Sequence, residues 1–231
     1  MFRFFRWDHR KSNHSLPESN NVMKLKKTTP TEQEILKARE EAESWCRQRL
    51  NDRKTLIVDT ETTGILSKDP DTEICQIAIV NTSGKPVFAS LVKPNSKIHP
   101  EALAQHGITS EMVELSPTFP QIAPLLAQII KGHHLVAYNA AFDIHLITHL
   151  FGKYEKEIPD FDVSCAMEEY SKWCGEWWSR KGDWKWHKLP QLAYGKAHDA
   201  LTDCVSTLLL MRKMIGDFSD EPNLNDLDLD F

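Results

Sequence analysis

Two carboxylates two residues apart close an apolar run in Leu56-Ile57-Val58-Asp59-Thr60-Glu61-Thr62-Thr63-Gly64. In a strand, positions i and i+2 share a face, so Asp59 and Glu61 project side by side. Paired carboxylates repel unless a cation or a shared proton relieves them. Ligation by oxygen alone suits Mg²⁺ or Mn²⁺ rather than zinc. The stretch reads as half of a metal site; taken alone, a strand end with two solvated acids explains it as well. Asp143 lies downstream near a helix start, where the dipole favours a carboxylate. His198 and Asp203 stand five apart at the opening of a last helix. On one helix they would lie roughly 140° apart and share a face poorly. They converge if His198 sits in the loop before the helix and leans over the site. Four carboxylates are enough to hold two divalent ions about 4 Å apart, the arrangement that activates a water in phosphodiester cleavage. A nearby histidine can take that water's proton.

These residues must be positioned by a core. Thr31-Glu32-Gln33-Glu34 has capping-box spacing, and apolar residues recur at helical spacing to Leu50, which predicts a helix over 31–50. A first strand is predicted over 55–60. The segments 73–80 and 86–92 read as a hairpin about the turn Asn81-Thr82-Ser83-Gly84. Thr82-Ser83-Gly84-Lys85 also looks like a fragment of a phosphate loop, but it lacks the leading glycine and the following helix, so the turn is preferred. Residues 99–119 read as irregular. A helix over 120–131 stops at Gly132, and Leu135–Tyr138 is a short buried strand leading through Asn139 to the helix that carries Asp143. A fifth strand is expected near Phe161-Asp162-Val163. Five of the seven tryptophans fall between 173 and 186. Such a cluster could stack bases; a compact helical subdomain that buries large side chains is the preferred reading.

Composition narrows the class. The chain has 231 residues, 41% hydrophobic and 26% charged, enough for one sizeable domain with tails. No apolar run approaches the roughly 20 residues of a membrane span, and the N-terminus has no secretory signal pattern. Five scattered cysteines without a CxxC point to reduced thiols and a cytoplasmic setting. His133-His134 are adjacent and point to opposite faces, so they are not read as a metal site. Net charge is −5 but uneven: residues 1–30 carry seven Lys and Arg against two acids, and 216–231 carry six acids and no base. Residues 1–30 read as a flexible basic arm, 31–215 as the catalytic domain with its N-terminal helix, and 216–231 as an acidic tail. The mildly acidic middle does not suggest a strong nonspecific duplex binder.

Three segments together resemble the DEDDh family of 3′→5′ exonucleases, which includes the proofreading subunit of bacterial replicative DNA polymerase, oligoribonuclease and RNase T. Val58–Gly64 is similar to the family's first motif, Tyr138–Asp143 to the second and His198–Asp203 to the third. The His106-Gly107-Ile108-Thr109 stretch resembles the proofreading branch. Tyr138 stands where the family more often carries His. The resemblance implies an α/β, RNase H-like fold: a five-stranded mixed sheet, its second strand antiparallel, flanked by helices. It implies that Asp59, Glu61, Asp143 and Asp203 bind two Mg²⁺ or Mn²⁺, that His198 is the general base, and that nucleoside 5′-monophosphates are released. It implies substrate contacts at Thr62 and Thr63, a terminal-base pocket at His106 and Ile108, and a supporting role for Asn139; Phe142 could share that role, but a core residue is the preferred reading there.

The expected activity is 3′→5′ hydrolysis of DNA, on single-stranded or frayed ends, in proofreading or repair. Trimming of short RNA and a non-catalytic binding subunit on the same scaffold are the alternatives; the presence of all four acids and His198 argues against the last. Nucleic acid is the expected partner, DNA before RNA, with no membrane. Asp226-Leu227-Asp228-Leu229-Asp230-Phe231 alternates acidic and apolar residues and resembles the peptides that dock replication proteins on the sliding clamp, though the usual leading Gln is absent.

Overall fold

A computed structural model describes residues 28–193 and 195–217 of the protein. The clamp-like peptide 226–231 and nearly all of the 1–30 arm therefore lie outside the described residues. The chain runs α1 (Glu32–Asn51), β1 (Thr55–Thr62), β2 (Ile74–Asn81), β3 (Pro86–Leu91), α2 (Pro100–His106), α3 (Ser110–Val113), α4 (Phe119–Ile130), β4 (His134–Ala137), α5 (Ala140–Lys153), β5 (Asp162–Cys165), α6 (Ala166–Cys174), β6 (Trp177–Trp178), β7 (Asp183–Trp184) and α7 (Ala200–Met214).

The main sheet has the order β3-β2-β1-β4-β5. Strand β2 is antiparallel to both β1 and β3, while β1, β4 and β5 are parallel. This is the mixed sheet that the family resemblance implies. The alternation of β1 builds two apolar layers. Ile57 packs with Cys46 of α1 and with Cys204, Val205 and Leu208 of α7. Leu56 and Val58 pack with Leu126 of α4 and Leu146 and Ile147 of α5. Continued past Val58, the same alternation aims Asp59 and Glu61 toward α7 and Thr60 toward α5.

Local signals act as their chemistry requires. Thr31 caps α1 in a full capping box with Glu34, which satisfies two backbone N–H groups at the helix start. In the β2–β3 turn, the Asn81 carboxamide oxygen accepts from the backbone N–H of Ser83 and Lys85, and Gly84 has φ 86°. The segment is a hairpin turn.

Two expectations need correction. Residues 99–119 hold two short helices. Pro100 starts α2, Gly107 ends it with φ 72°, and the Thr109 hydroxyl accepts from Met112 N–H at the start of α3. The tryptophan-rich segment is not a helical subdomain. After α6 it forms the hairpin β6–β7, in which Trp177 pairs with Trp184 edge to face at 5.3 Å. Trp178 and Trp186 remain 39% and 37% exposed.

Candidate active site

Strand β1 delivers the first acids. It runs two residues beyond the predicted end, so Asp59 and Glu61 lie within the sheet, and Glu61 stands opposite Gln76 of β2. Glu61 is buried, only 8% exposed. Asp143 arrives from the other face of the sheet. It sits in the first turn of α5, buried, and one of its oxygens, Oδ1, accepts from Thr60 N–H at 3.0 Å and from Thr60 Oγ1 at 2.7 Å. Those two bonds lock Asp143 to the strand between Asp59 and Glu61. Asp203 occupies the first turn of α7.

His198 lies in the loop before α7, with a left-handed backbone of φ 59°. A non-glycine residue there stores on the order of 1 kcal/mol of strain. The placement resolves the five-residue spacing: oxygen or nitrogen atoms of Glu61, His198 and Asp203 all lie within 4.8 Å of one another.

Sequence reasoning assigned no role to the device that sets this loop. Asp199 caps α7, its Oδ1 accepting from Thr202 N–H at 3.0 Å. Its other oxygen accepts from Gln76 Nε2 at 2.9 Å, and Gln76 Oε1 accepts from Ala200 N–H at 3.1 Å. Gln76 thus ties the start of α7 to β2, directly beside Glu61, and fixes His198 and Asp203 on either side of the tie. The signal available in the sequence was a lone amide inside the apolar run Ile74–Val80, since a polar group there needs a partner. Gly195 packs against the same helix turn. With φ 136°, a Cβ added there would lie 2.6 Å from Thr202 Oγ1.

Crowding of the acids shows in their proton affinities. Burial, then Asp203 and Asp143, pushes Glu61 from its ordinary 4.5 to about 8. Burial raises Asp143 to about 7 against the lowering pull of the Thr60 hydrogen bonds. Asp59 is raised well above the usual range by burial, then by Asp143 and Glu61. Asp203 is raised by burial and partly offset by His198. Four acids that resist ionising together form a donor set suited to hard divalent cations. Glu61, Asp203 and His198 could hold one ion by themselves, and Asp59 and Asp143 add oxygen donors beside them.

The remaining predicted residues divide. His106 is buried. Its Nδ1 accepts from Ile108 N–H at 2.9 Å, so Nε2 carries the proton and donates to Thr62 O at 3.1 Å. Lys196 donates to His106 O at 2.8 Å, joining the His198 loop to α2. Ile108 is buried with Cys75 and Val113. Thr62 Oγ1 donates to Gly64 O, and Thr63 Oγ1 accepts from Glu73 N–H. The side chains of Thr62, Thr63, His106 and Ile108 therefore brace the strand end. Asn139 is exposed at the start of α5. Tyr138 is buried, and its hydroxyl donates to His187 O at 2.9 Å.

This mixed sheet flanked by helices, with acids gathered where β1, α5 and α7 meet, is an RNase H-like fold. Comparison with known proteins gives the family. The RNase T family, described as exonucleases, matches residues 56–211, and the chain belongs to it. It is 39% identical over 166 residues to the uncharacterized exonuclease CP81 of Escherichia phage 186, covering 66% of this chain and 84% of that protein. It is 31% identical over 123 residues to the DNA polymerase III subunit epsilon of Escherichia coli K12, covering 50% of this chain and 51% of that subunit. The chain thus spans about half the length of that relative. In fold it is similar to the zinc-bound E. coli ExoI–ssDNA complex, with TM-score 0.56, 18% identity, and coverage of 74% of this chain and 42% of that one. Among the described residues, no helix is long and apolar enough to cross a membrane.

Proposed function

We propose that the protein is a metal-dependent 3′→5′ exonuclease of the DEDDh kind, removing nucleoside 5′-monophosphates from the 3′ end of a DNA strand. The observation that carries this reading is the convergence of Asp59, Glu61, Asp143 and Asp203 at one sheet end, with His198 held beside Glu61 and Asp203 by the Gln76–Asp199 tie. DNA is favoured over RNA by the relationship to the polymerase subunit.

Divalent ions, when bound, would supply Lewis acidity at the phosphate and lower the pKa of a water. Asp59, Glu61, Asp143 and Asp203 would hold them. The water oxygen bonds to the terminal phosphorus, the bond from phosphorus to the preceding nucleotide's 3′ oxygen breaks, and that oxygen takes a proton from solvent to become the new 3′ hydroxyl. His198 accepts the proton of that water at a ring nitrogen, a contribution of general-base catalysis worth roughly 10²–10⁴-fold. Thr62 and Thr63 commit their hydroxyls within the fold, and the Thr63 N–H and carbonyl are bonded to Glu73 and His99, so the two residues shape the strand end against which the terminal nucleotide would lie. His106 keeps the Thr62 carbonyl in place from behind, Ile108 backs it, and exposed Asn139 offers an amide at the start of α5. The tail 226–231 is read as a clamp-docking peptide.

The test is a gel assay with Mg²⁺ on 5′-labelled single-stranded DNA, duplex DNA and RNA of one sequence, with Asp59→Ala as control. The expected result is a ladder shortening from the 3′ end of DNA, absent in the variant. Internal cleavage, or equal degradation by Asp59→Ala, would overturn the reading.

A further inference from the structure

The β6–β7 hairpin leaves its largest side chains partly in solvent. Lys181 Nζ lies 4.2 Å from the centre of the Trp178 ring and 4.9 Å from that of Trp186. The hairpin beneath them is well made. Trp177 packs on Trp184, Lys185 N–H donates to Glu176 O at 2.8 Å, and the Lys185 ammonium pairs with Glu176 at 2.6 Å. The N–H groups of Lys181 and Gly182 both reach Trp178 O at 2.9 Å, which fixes the turn. The two exposed indoles and the ammonium between them are thus presented from a set backbone.

The hairpin also stands at the right end of the fold. Strand β5 runs parallel to β1 through β4, so the first turn of α6 leaves the sheet at the end that carries the acids. β7 packs against α6. The chain leaving the hairpin is tied by the Tyr138–His187 bond to the residue just before Asn139, and then runs on to His198. Charge adds a second argument. Residues 176–188 hold Arg180, Lys181, Lys185 and Lys188 against Glu176 and Asp183, a positive segment in a chain of net charge −5.

We infer that Trp178, Lys181 and Trp186 form a binding site for the single strand that leads into the active site, the indoles stacking bases and the ammonium meeting a phosphate. The inference rests on the nuclease reading above. An exposed contact between an ammonium and an indole is weak, so a nucleotide that satisfies both groups can replace it. Each stacked base adds affinity without regard to sequence. On this reading a dinucleotide held at the acids leaves the site empty, whereas a longer strand fills it.

The experiment uses the full chain and its Trp178→Ala/Trp186→Ala and Lys181→Ala variants. Steady-state hydrolysis is measured on a thymidine dinucleotide and a 20-nucleotide oligothymidylate. The double variant is expected to raise KM for the 20-mer at least tenfold and to leave kcat/KM for the dinucleotide within about twofold. Lys181→Ala should raise the 20-mer KM by a smaller factor and flatten its salt dependence. Trp178→Phe/Trp186→Phe should restore most of the 20-mer affinity, which separates stacking from a folding defect. Equal losses on both substrates, or an unchanged 20-mer KM, would overturn the inference. If the unsubstituted chain hydrolyses neither substrate, the nuclease reading fails instead. The fluorescence anisotropy of a labelled 20-mer in EDTA then decides the site: tenfold weaker binding by the double variant supports it, and equal binding overturns it.

Discussion

Replacing Glu61 by Gln should stabilise the metal-free protein while abolishing its chemistry. In the folded chain Glu61 holds its proton up to about pH 8, whereas an unfolded glutamate releases it near 4.5. A raised folded pKa gives stability that is full below the unfolded value and is lost as pH rises through the folded one. At 1.36 kcal/mol per pH unit, the cost of Glu61 is about 1 kcal/mol at pH 5 and about 3 kcal/mol at pH 7. Gln fills the same space without titrating. For a domain of this size each kcal/mol shifts Tm by roughly 2–4 °C. The Tm advantage of Glu61→Gln in EDTA should therefore grow by roughly 4–8 °C between pH 5 and pH 7. Thermal denaturation followed by circular dichroism measures this directly. Mg²⁺ should raise the Tm of the parent chain more than that of the variant, because the cation relieves the same repulsion. A Tm gap that stays constant or narrows with pH would refute the claim that these acids are held together against their charge.

Other outcomes follow from named contacts. Gln76→Leu should lower kcat by about tenfold or more and cost ~1–3 kcal/mol, because Asp199 Oδ2 and Ala200 N–H lose their partner; oligonucleotide hydrolysis and chemical denaturation check both. His198→Ala should lower kcat by roughly 10²–10⁴-fold and leave Mn²⁺ affinity largely intact, as titration calorimetry would show. Deleting residues 224–231 should abolish binding to a sliding clamp in surface plasmon resonance and leave hydrolysis of free oligonucleotides unchanged.

The main strands and the acids were legible in the sequence because they depend on short-range patterns, while the order of the sheet came only through the resemblance of the three motifs to a family. The period of β1 places Asp59 and Glu61 on one face, and the opening of the last helix places His198 ahead of Asp203. What escaped depends on contacts between distant segments. Helix α2 spans seven residues, too few to be stable alone, and is held by tertiary bonds such as His106 to Thr62 O. Strands β6 and β7 have two residues each, too few for alternation to show. The Gln76–Asp199 tie joins residues 123 apart, so neither local propensity nor spacing could reveal it.

The central claim is that four carboxylates, with His198 as a base, form a two-ion site. Crystals grown with Mn²⁺ and thymidine 5′-monophosphate test it most directly through anomalous scattering. The account predicts two peaks about 4 Å apart, bounded by Asp59, Glu61, Asp143 and Asp203, with a His198 ring nitrogen facing a water rather than a metal. A single peak ligated by Glu61, His198 and Asp203 would contradict it, because His198 would then be a ligand and no base would remain.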